Sequence, residues 1–136
     1  MELSADVHDF LDRENPGFIA TIATNGKDGF PLVVPVWYRW DRTHISIWTG
    51  SSRLWARNVM RDSRVGVSIQ DVVDGTAVIM RGDAKLVTRD DDDIDTEIRR
   101  ISRRYVTEAK VETYMSEWAS LDAMVYVKPT RVFVWQ

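Results

Sequence analysis

Hydrophobic residues recur with two different periods along the 136-residue chain, and each period predicts its own kind of element. The first apolar group has helical spacing: Leu3, Val7, Phe10 and Leu11. Ser4 stands near its start as a candidate N-cap, and Asn15-Pro16-Gly17 is a sequence that breaks a helix. The chain is therefore expected to open with a short helix.

From Phe18 onward the period changes to the alternation that is typical of strands. Strands are predicted over 18–24, 31–40, 45–50, 64–70 and 76–88, with one or two more over 121–136 around Pro129. Tight turns are predicted at 25–29, 41–44 and Asp74-Gly75. Within the strand 76–88, Gly82 indicates a bulge or a close approach of another backbone.

Two further segments have the pattern of helices. Residues 51–63 predict one short helix, and residues 90–118 predict two, divided near Thr107. Short antiparallel strands interrupted by a few helices favour an α+β fold, in which an antiparallel barrel carries the helices. The length and the 44% hydrophobic content fit one domain over residues 1–136.

Composition and charge argue against several classes of function. The formal net charge is −3 and no basic face stands out, so binding of nucleic acid is not expected. The chain has no cysteine, no leader-like N-terminus and no apolar stretch near the roughly 20 residues of a membrane span. A cytoplasmic protein that is not attached to a membrane is therefore expected.

The residues that usually carry chemistry are sparse. His8 and His44 are the only histidines, so a serine nucleophile with a histidine base has little support. Asp9 and Asp12 follow His8 at helical spacing, but a solvated helix face explains them better than a metal site. No glycine-rich phosphate loop is present. An enzyme with this sequence would take its chemistry from a cofactor, and no catalytic residue is assigned.

The stretch WTGSSRLWARN, residues 48–58, is the strongest candidate for a binding site. A strand ends here, and a helix with arginines at Arg53 and Arg57 follows at once. If Ser51 or Ser52 caps that helix, its free N–H groups and the two guanidinium groups converge on one point, which suits a phosphate monoester. The alternative is that both arginines are surface groups at an ordinary capped helix.

The preceding strand, VVPVWYRW, is unusually apolar and aromatic. Pro35 within it indicates an edge or a bulge where backbone groups are left free. Free backbone beside aromatic side chains suits a flat heteroaromatic ligand, whereas the alternative is a core strand of the barrel. The chain has six tryptophans, many for its length, and some are expected to line a pocket or a subunit interface.

Residues 18–70 resemble the N-terminal half of the pyridoxamine 5′-phosphate oxidase-like proteins, the flavin-binding split-barrel superfamily. The resemblance is closest to the branch of small flavin- or deazaflavin-dependent oxidoreductases. It is carried by PVWY at 35–38, by the strand that ends at Thr49, and by the pairs Arg57-Asn58 and Arg64-Val65. Residues 80–88 and 125–135 are similar to the family's next strand and its terminal strand.

The resemblance implies a six-stranded antiparallel split β-barrel with Greek-key topology and short helices, forming a homodimer with a cofactor at the interface. The cofactor would be FMN or, alternatively, the deazaflavin coenzyme F420, and the activity a hydride transfer to or from a small organic substrate. A non-catalytic protein that stores or senses such a cofactor is the alternative.

The resemblance also implies which residues bind the cofactor. Its phosphate would be held by Thr49, Ser51, Arg53, Arg57 and Asn58. Its ring would lie along Val34, Pro35, Val36 and Trp37. The partner chain would add Met80, Arg81 and Gly82, with Trp135 from the terminal strand. Trp55 stands where many members have a lysine that binds the phosphate, and it is included among the expected cofactor-binding residues.

Overall fold

A computed structural model describes residues 2–14 and 16–136 of the chain. Its helices and strands, in chain order, are α1 Ala5–Asp12, β1 Ala20–Asn25, β2 Pro31–Val36, β3 Arg39–Trp40, β4 Ile45–Thr49, α2 Leu54–Arg61, β5 Arg64–Asp71, β6 Thr76–Thr88, α3 Asp95–Ser102, a 3-10 turn Glu108–Lys110, α4 Val111–Glu117 and β7 Ala123–Trp135. The fold is mixed α+β, with one curled antiparallel sheet forming a split barrel, as predicted.

The strands form one seven-stranded sheet in the order β2-β1-β5-β6-β7-β4-β3. Its centre is the pair β6 and β7, of thirteen residues each, which runs from Thr88↔Ala123 to Ala77↔Trp135. The register of this pair shifts between Arg81 and Gly82, so the predicted irregularity at Gly82 is confirmed. A Cβ at this position would collide with the backbone carbonyl of Lys128, and only glycine fits there.

Two groups of buried apolar residues hold the fold together. The larger fills the barrel with residues from α1, α2 and the strands, and Leu11, Ile22 and Ile69 in it have no exposed surface. The smaller consists of Ile94, Ile98, Ile101 and Met124, and it joins α3 to the sheet. Apolar burial of this kind stabilises by about 25 cal/mol per Å². The helical segment after β6 is therefore attached firmly to the barrel.

The prediction of six strands was wrong by one, because the expected strand 31–40 is broken at Trp37 and Tyr38. The backbone N–H of Tyr38 donates to the Tyr105 hydroxyl (3.1 Å) instead of to a strand. The Tyr38 side chain turns inward, where its hydroxyl donates to the Leu11 carbonyl (2.8 Å) and burial raises its pKa to about 12. The chain then continues as β3, which pairs with β4.

Several local predictions are confirmed. Ser4 caps α1, since its hydroxyl accepts a hydrogen bond from the Val7 N–H. Gly75 has a positive φ of 80° in the turn before β6, a conformation that favours glycine. The segment 90–118 is divided near Thr107, as expected. The proposed helix break at Asn15-Pro16-Gly17 begins at Asn15, which lies outside the described residues, and α1 ends at Asp12.

A buried arginine connects α1 to the end of α3. Arg104 is 3% exposed and its guanidinium donates to the backbone carbonyls of Leu11, Arg13 and Tyr38. It also lies over the Tyr38 ring, 4.4 Å from the centroid. These contacts fix the chain at the break between β2 and β3. In the described part of the chain, no helix has the length and apolarity needed to cross a membrane.

Candidate functional site

A cleft of about 490 Å³ opens between the edge of the sheet and the helical segment that follows β6. Its size is within the range of small-molecule sites. It is lined by residues from β2, the end of β4, the start of α2 and the α3–α4 segment: Ile19, Val34, Pro35, Val36, Trp37, Trp48, Thr49, Arg53, Trp55, Ile101, Tyr114, Trp118 and Leu121. Four of the six tryptophans therefore line one cleft.

One side of the cleft is the strand β2, as far as Trp37 just beyond its end. Because β2 is the outermost strand on one side of the sheet, one of its edges pairs with no other strand of the sheet. Pro35 thus stands in an edge strand, as predicted. The Trp37 ring is stacked between Tyr105 and Tyr114, with centroid distances of 4.5 Å and 5.0 Å. The strand presents free backbone groups and a fixed aromatic ring to the cleft.

Thr49 and Arg53, which we call the polar pair, provide the hydrogen-bonding groups on another side of the cleft. Thr49 is 2% exposed, and within the described residues its Oγ1 is the buried side-chain atom that has no hydrogen-bond partner. An unpaired buried hydroxyl costs about 1–3 kcal/mol. None of the ion pairs among the described residues involves Arg53. In the described structure the Thr49 hydroxyl therefore has hydrogen-bonding capacity left over, and the Arg53 guanidinium is in no ion pair.

The start of α2 differs from the prediction. Ser51 and Ser52 do not cap the helix, which begins at Leu54 with Arg53 at the N-cap position and no side-chain cap. The reason is that Ser51 is occupied elsewhere: its backbone N–H and its hydroxyl donate to the two carboxylate oxygens of Asp122, at 2.8 Å each. These hydrogen bonds lower the pKa of Asp122. An ionised side chain of the same chain thus holds the donors that were expected to hold a phosphate.

Trp55 lies in the first turn of α2 and is 5% exposed. It belongs to the core of the barrel and also lines the cleft. The side chain that stands at the position of the family's frequent lysine is thus an integral part of both the core and the cleft surface.

The structure does not bring Arg57 and Asn58 into the cleft. Arg57 is exposed, one helical turn beyond Arg53 on the same side of α2. Asn58 is 1% exposed, and its amide donates to the Thr24 hydroxyl (3.1 Å) while its carbonyl oxygen accepts from Arg61 (2.8 Å). Both ends of its side chain are thus paired within the chain, one with Thr24 and one with the exposed Arg61, and its role as a phosphate ligand stays a prediction.

Met80 and Arg81, two of the residues expected from a partner chain, lie on β6. Met80 has no exposed surface and lies in the barrel core, and its contribution to a cofactor site stays a prediction. Arg81 is exposed and stands 6.0 Å above the Phe133 ring. The alternation of a strand explains the difference, because neighbouring residues point to opposite faces.

Two lining residues were missed by the sequence analysis and matter for the chemistry of the cleft. Tyr114 and Trp118 come from the charged segment 90–118, which could not be oriented relative to the barrel. Their ring centroids lie 6.4 Å apart, and Tyr114 also meets Trp48 edge-on at 6.0 Å. Their spacing of four residues, from α4 to the residue after its end, was the available signal, because that spacing puts two side chains on one side of a helical turn.

Other side chains that can carry or donate a proton near β2 do not line the cleft. Tyr38 is enclosed by the core, and the Arg39 guanidinium is bound by Glu97 at 2.6 Å and 2.9 Å. His8 accepts a hydrogen bond from the Trp40 indole (2.9 Å). Across residues 2–14 and 16–136, no group of three or more His, Asp or Glu side chains is placed to hold a metal ion.

Comparisons with solved structures identify the same fold in other proteins. An F420 reductase is 22% identical, with a TM-score of 0.72 over 93% of this chain and 94% of its own. A conserved hypothetical protein from Mycobacterium tuberculosis is also 22% identical, with a TM-score of 0.73 over 100% of this chain and 86% of its own. A protein from Lactobacillus delbrueckii, provisionally assigned as a pyridoxamine 5′-phosphate oxidase, is 19% identical, with a TM-score of 0.67 over 97% and 93%.

A comparison with curated proteins found no significant sequence match. The family model described as pyridoxamine 5′-phosphate oxidase matches residues 3–136, nearly the whole chain. The match covers the strands, the cleft and the helical segment together. The chain therefore belongs to the pyridoxamine 5′-phosphate oxidase family.

Proposed function

We propose that this chain binds FMN or the deazaflavin coenzyme F420 in the cleft and transfers a hydride to or from a small organic substrate. Residues 1–136 would act as one cofactor-binding domain in a cytoplasmic homodimer. The observation that carries the proposal is the polar pair: within the described structure, the buried Thr49 hydroxyl has no hydrogen-bond partner and Arg53 is in no ion pair, and both residues line an otherwise apolar cleft. Flavin and deazaflavin cofactors combine a phosphate with a flat ring, and the cleft offers groups for both.

The phosphate would be bound by the polar pair and the uncapped first turn of α2. The helix terminus alone contributes about 0.3–1 kcal/mol to a nearby anion. Arginine adds directed hydrogen bonds to phosphate oxygens, and Arg57 adds a second positive charge one turn away. Ser51 is not among the proposed ligands, because Asp122 already accepts from both of its donors.

The ring would lie along Val34, Pro35, Val36 and Trp37, with Trp55 beside it. These residues line the cleft from an edge strand, whose free backbone groups can bond the polar edge of a flavin-type ring. When bound, the cofactor would donate or accept the hydride. The residues of the chain would orient it and keep water away. The proton would come from solvent, since neither Tyr38 nor Arg39 lines the cleft.

A homodimer is supported by apolar surface that the single chain leaves exposed. At the end of β7, Phe133, Val134 and Trp135 are 40%, 51% and 67% exposed, and Val33 on β2 is 63% exposed. A stable interface of standard size buries about 800 Å² per partner. Arg81 lies beside Phe133 and would belong to this surface. Sedimentation of a monomer at micromolar concentration would contradict the dimer.

The similarity to an F420 reductase is the reason to test coenzyme F420 beside FMN. The decisive experiment is a titration of the purified protein with FMN, coenzyme F420 and riboflavin, followed by quenching of tryptophan fluorescence. We expect saturable binding of FMN or F420, and much weaker binding of riboflavin, which lacks the phosphate. No binding of either phosphate-bearing cofactor would refute the proposal.

The double variant Arg53→Ala/Arg57→Ala tests the assignment of the phosphate. It should weaken binding of the phosphate-bearing cofactor at least about tenfold and leave riboflavin binding nearly unchanged, since charge-assisted hydrogen bonds are worth about 1.5–3 kcal/mol. The control is Arg100→Ala/Arg103→Ala, which removes two exposed arginines at the end of α3. Equal losses for all ligands would show that Arg53 and Arg57 are only surface charges. Binding without turnover of any reduced cofactor would favour the storage or sensing alternative.

A further inference from the structure

The segment just before β7 holds the loop between β4 and α2. Asp122 in this segment accepts two hydrogen bonds from Ser51, one from the backbone N–H and one from the hydroxyl, at 2.8 Å each. In the register of β4 and β7, Thr49 is paired with Ala123, the residue that follows Asp122. Ser51 stands two residues from Thr49 and two from Arg53. The Asp122 carboxylate is therefore a close neighbour of the polar pair.

This carboxylate keeps its negative charge without a salt-bridge partner. The hydrogen bonds from Ser51 lower the pKa of Asp122, so it is ionised at neutral pH. Among the described residues it forms no ion pair. The cation that faces it is Arg89, whose backbone N–H donates to the Asp122 carbonyl (3.0 Å) and whose guanidinium is paired with Asp95 (3.2 Å). The charge of Asp122 therefore acts on an anion that binds beside it.

Asp122 alters the neighbouring phosphate site in two ways. It occupies both donors of Ser51, so that the Thr49 hydroxyl, the Arg53 guanidinium and the free N–H groups of the first turn of α2 remain. It also sets one negative charge against the two positive charges of Arg53 and Arg57. The balance of one positive charge matches an anion that carries one negative charge better than an anion that carries two.

The phosphates of the two proposed cofactors differ in this respect. FMN carries a phosphate monoester, which has three terminal oxygens and close to two negative charges above about pH 6. The phosphate of coenzyme F420 is a diester, which has two terminal oxygens and one negative charge. A nearby carboxylate repels each negative charge of the ligand, so the monoester is repelled more than the diester. The monoester also has one more oxygen that needs a donor.

We propose that Asp122 is a specificity-determining residue, whose carboxylate makes the site favour a phosphate diester over a phosphate monoester, and therefore coenzyme F420 over FMN. The inference rests on the proposed function, because it concerns the phosphate of the same cofactor. Asp122 does not line the cleft. It acts through its charge and through its hold on Ser51, without touching the ligand.

The test is a titration of the full chain with three ligands that share one flavin ring, followed by quenching of tryptophan fluorescence at about pH 7.5 and low ionic strength. The ligands are riboflavin, FMN and the monomethyl ester of FMN, whose phosphate is a diester. Coenzyme F420 is titrated beside them. We expect the methyl ester to bind at least about threefold more tightly than FMN. The preference should shrink in about 0.5 M NaCl, because salt screens the charge of the carboxylate.

Substitutions then assign the preference to the carboxylate. Asp122→Asn keeps the shape of the side chain and an acceptor for Ser51 but removes the charge. It should strengthen binding of FMN more than binding of the methyl ester, so that the preference for the diester falls at least about threefold. Ser51→Ala keeps the carboxylate and the backbone N–H, and it should retain the preference. The control for a lost negative charge is Asp6→Asn, at an exposed residue of α1, a helix that does not line the cleft.

The outcomes separate this proposal from the one on the cofactor. Equal affinities of the wild type for FMN and its methyl ester, or a preference that the folded Asp122→Asn variant retains, would overturn the role of Asp122 and leave the proposed function standing. Binding of coenzyme F420 with no binding of either flavin ester would overturn it too, because the ring would then set the choice. No binding of any of these cofactors would refute both proposals.

Far-UV circular dichroism verifies that each variant is folded. If Asp122→Asn does not fold, the salt dependence of the wild type decides. A preference for the methyl ester that salt leaves unchanged would then overturn the proposal, because a difference in shape rather than in charge would explain it.

Discussion

Asp122 holds the loop before α2 by accepting two hydrogen bonds from Ser51, one from its backbone N–H and one from its hydroxyl. The two residues are 71 positions apart in the chain and connect the end of β4 with the start of β7. Because this carboxylate is already bound to the loop, the phosphate of the proposed cofactor would meet Thr49 and Arg53 rather than Ser51. The contact therefore decides which donors remain for a ligand.

The contact predicts a pH-dependent contribution to stability. Hydrogen bonds from Ser51 lower the pKa of Asp122 below its ordinary value of 3.8, so folding favours the ionised form. The stabilisation is fully present above about pH 4 and is lost as the pH falls through the lowered pKa. Asp122→Asn should reduce the free energy of unfolding by about 1 kcal/mol at pH 7, and less at low pH.

Urea unfolding between about pH 3 and pH 7 measures this difference. Asp90→Asn, at an exposed carboxylate, is the control that removes the same charge without a hydrogen-bonded partner. A constant difference between the wild type and Asp122→Asn over the whole range would contradict the role given to the ionised carboxylate.

Thr49→Val should separate stability from binding. The substitution keeps the shape of the side chain and removes a buried hydroxyl that has no partner in the described structure. We expect the free energy of unfolding to stay the same or rise by about 1 kcal/mol, because the cost of the unpaired group disappears. Affinity for the phosphate-bearing cofactor should fall at least about fivefold, since a hydrogen bond to a charged group is lost.

Thr24→Val is the matched control for this prediction. Thr24 is 1% exposed, but its hydroxyl accepts a hydrogen bond from the Asn58 amide at 3.1 Å. The same substitution there leaves a buried amide unpaired and should lower stability by about 1–2 kcal/mol. Chemical denaturation of both variants provides the comparison. Equal destabilisation by the two substitutions would mean that the Thr49 hydroxyl is not a free group.

Tyr105→Phe should destabilise the fold through the break between β2 and β3. The Tyr105 hydroxyl donates to the Phe18 carbonyl (2.7 Å) and accepts from the Tyr38 N–H (3.1 Å). Without it, two part-buried backbone groups lose a partner, at a cost of about 1–3 kcal/mol. Tyr114→Phe, at a half-buried ring, should cost less than about 0.5 kcal/mol. Thermal unfolding followed by circular dichroism distinguishes the two, and a smaller loss for Tyr105→Phe would contradict the assignment.

Glu97→Gln tests the buried ion pair that ties α3 to the sheet. Glu97 binds the Arg39 guanidinium and accepts a hydrogen bond from the Ser46 hydroxyl (2.5 Å). Loss of the charge leaves Arg39 without its partner and should cost about 2 kcal/mol. Glu112→Gln breaks the exposed pair with Arg99 and should cost less than about 1 kcal/mol. Denaturant midpoints of the two variants provide the test, and equal values would refute it.

Much of the fold could be predicted from the sequence because its signals are local. The alternation along β1, β5 and β6, the cap at Ser4, the turn at Gly75 and the irregularity at Gly82 each depend on residues close together in the chain. Pro35 indicated an edge strand for the same reason, since proline cannot donate to a neighbour on either side.

The site was predicted less completely, because its polar contacts depend on partners far away in the chain. Both Ser51 and Ser52 had the composition of a helix cap, yet Asp122 takes the donors of Ser51, and no local pattern connects the two. The family resemblance implied Asn58 as a phosphate ligand, but the packing of α2 against β1 brings its amide to the Thr24 hydroxyl. Met80 lies on a strand whose side chains alternate between two faces, and its own side chain faces the core.

The sequence by itself determined an antiparallel barrel that carries helices, the order of most of its helices and strands, and a strand-to-helix junction suited to an anion. Periodicity and turn chemistry act over a few residues and are written directly in the chain. Only the tertiary structure decided that the Thr49 hydroxyl is left unpaired, that Asp122 holds Ser51, and that Tyr114 faces Trp37 across the cleft. These relationships arise where the curled sheet brings distant segments together, and a side chain's partner there depends on geometry that no local pattern encodes.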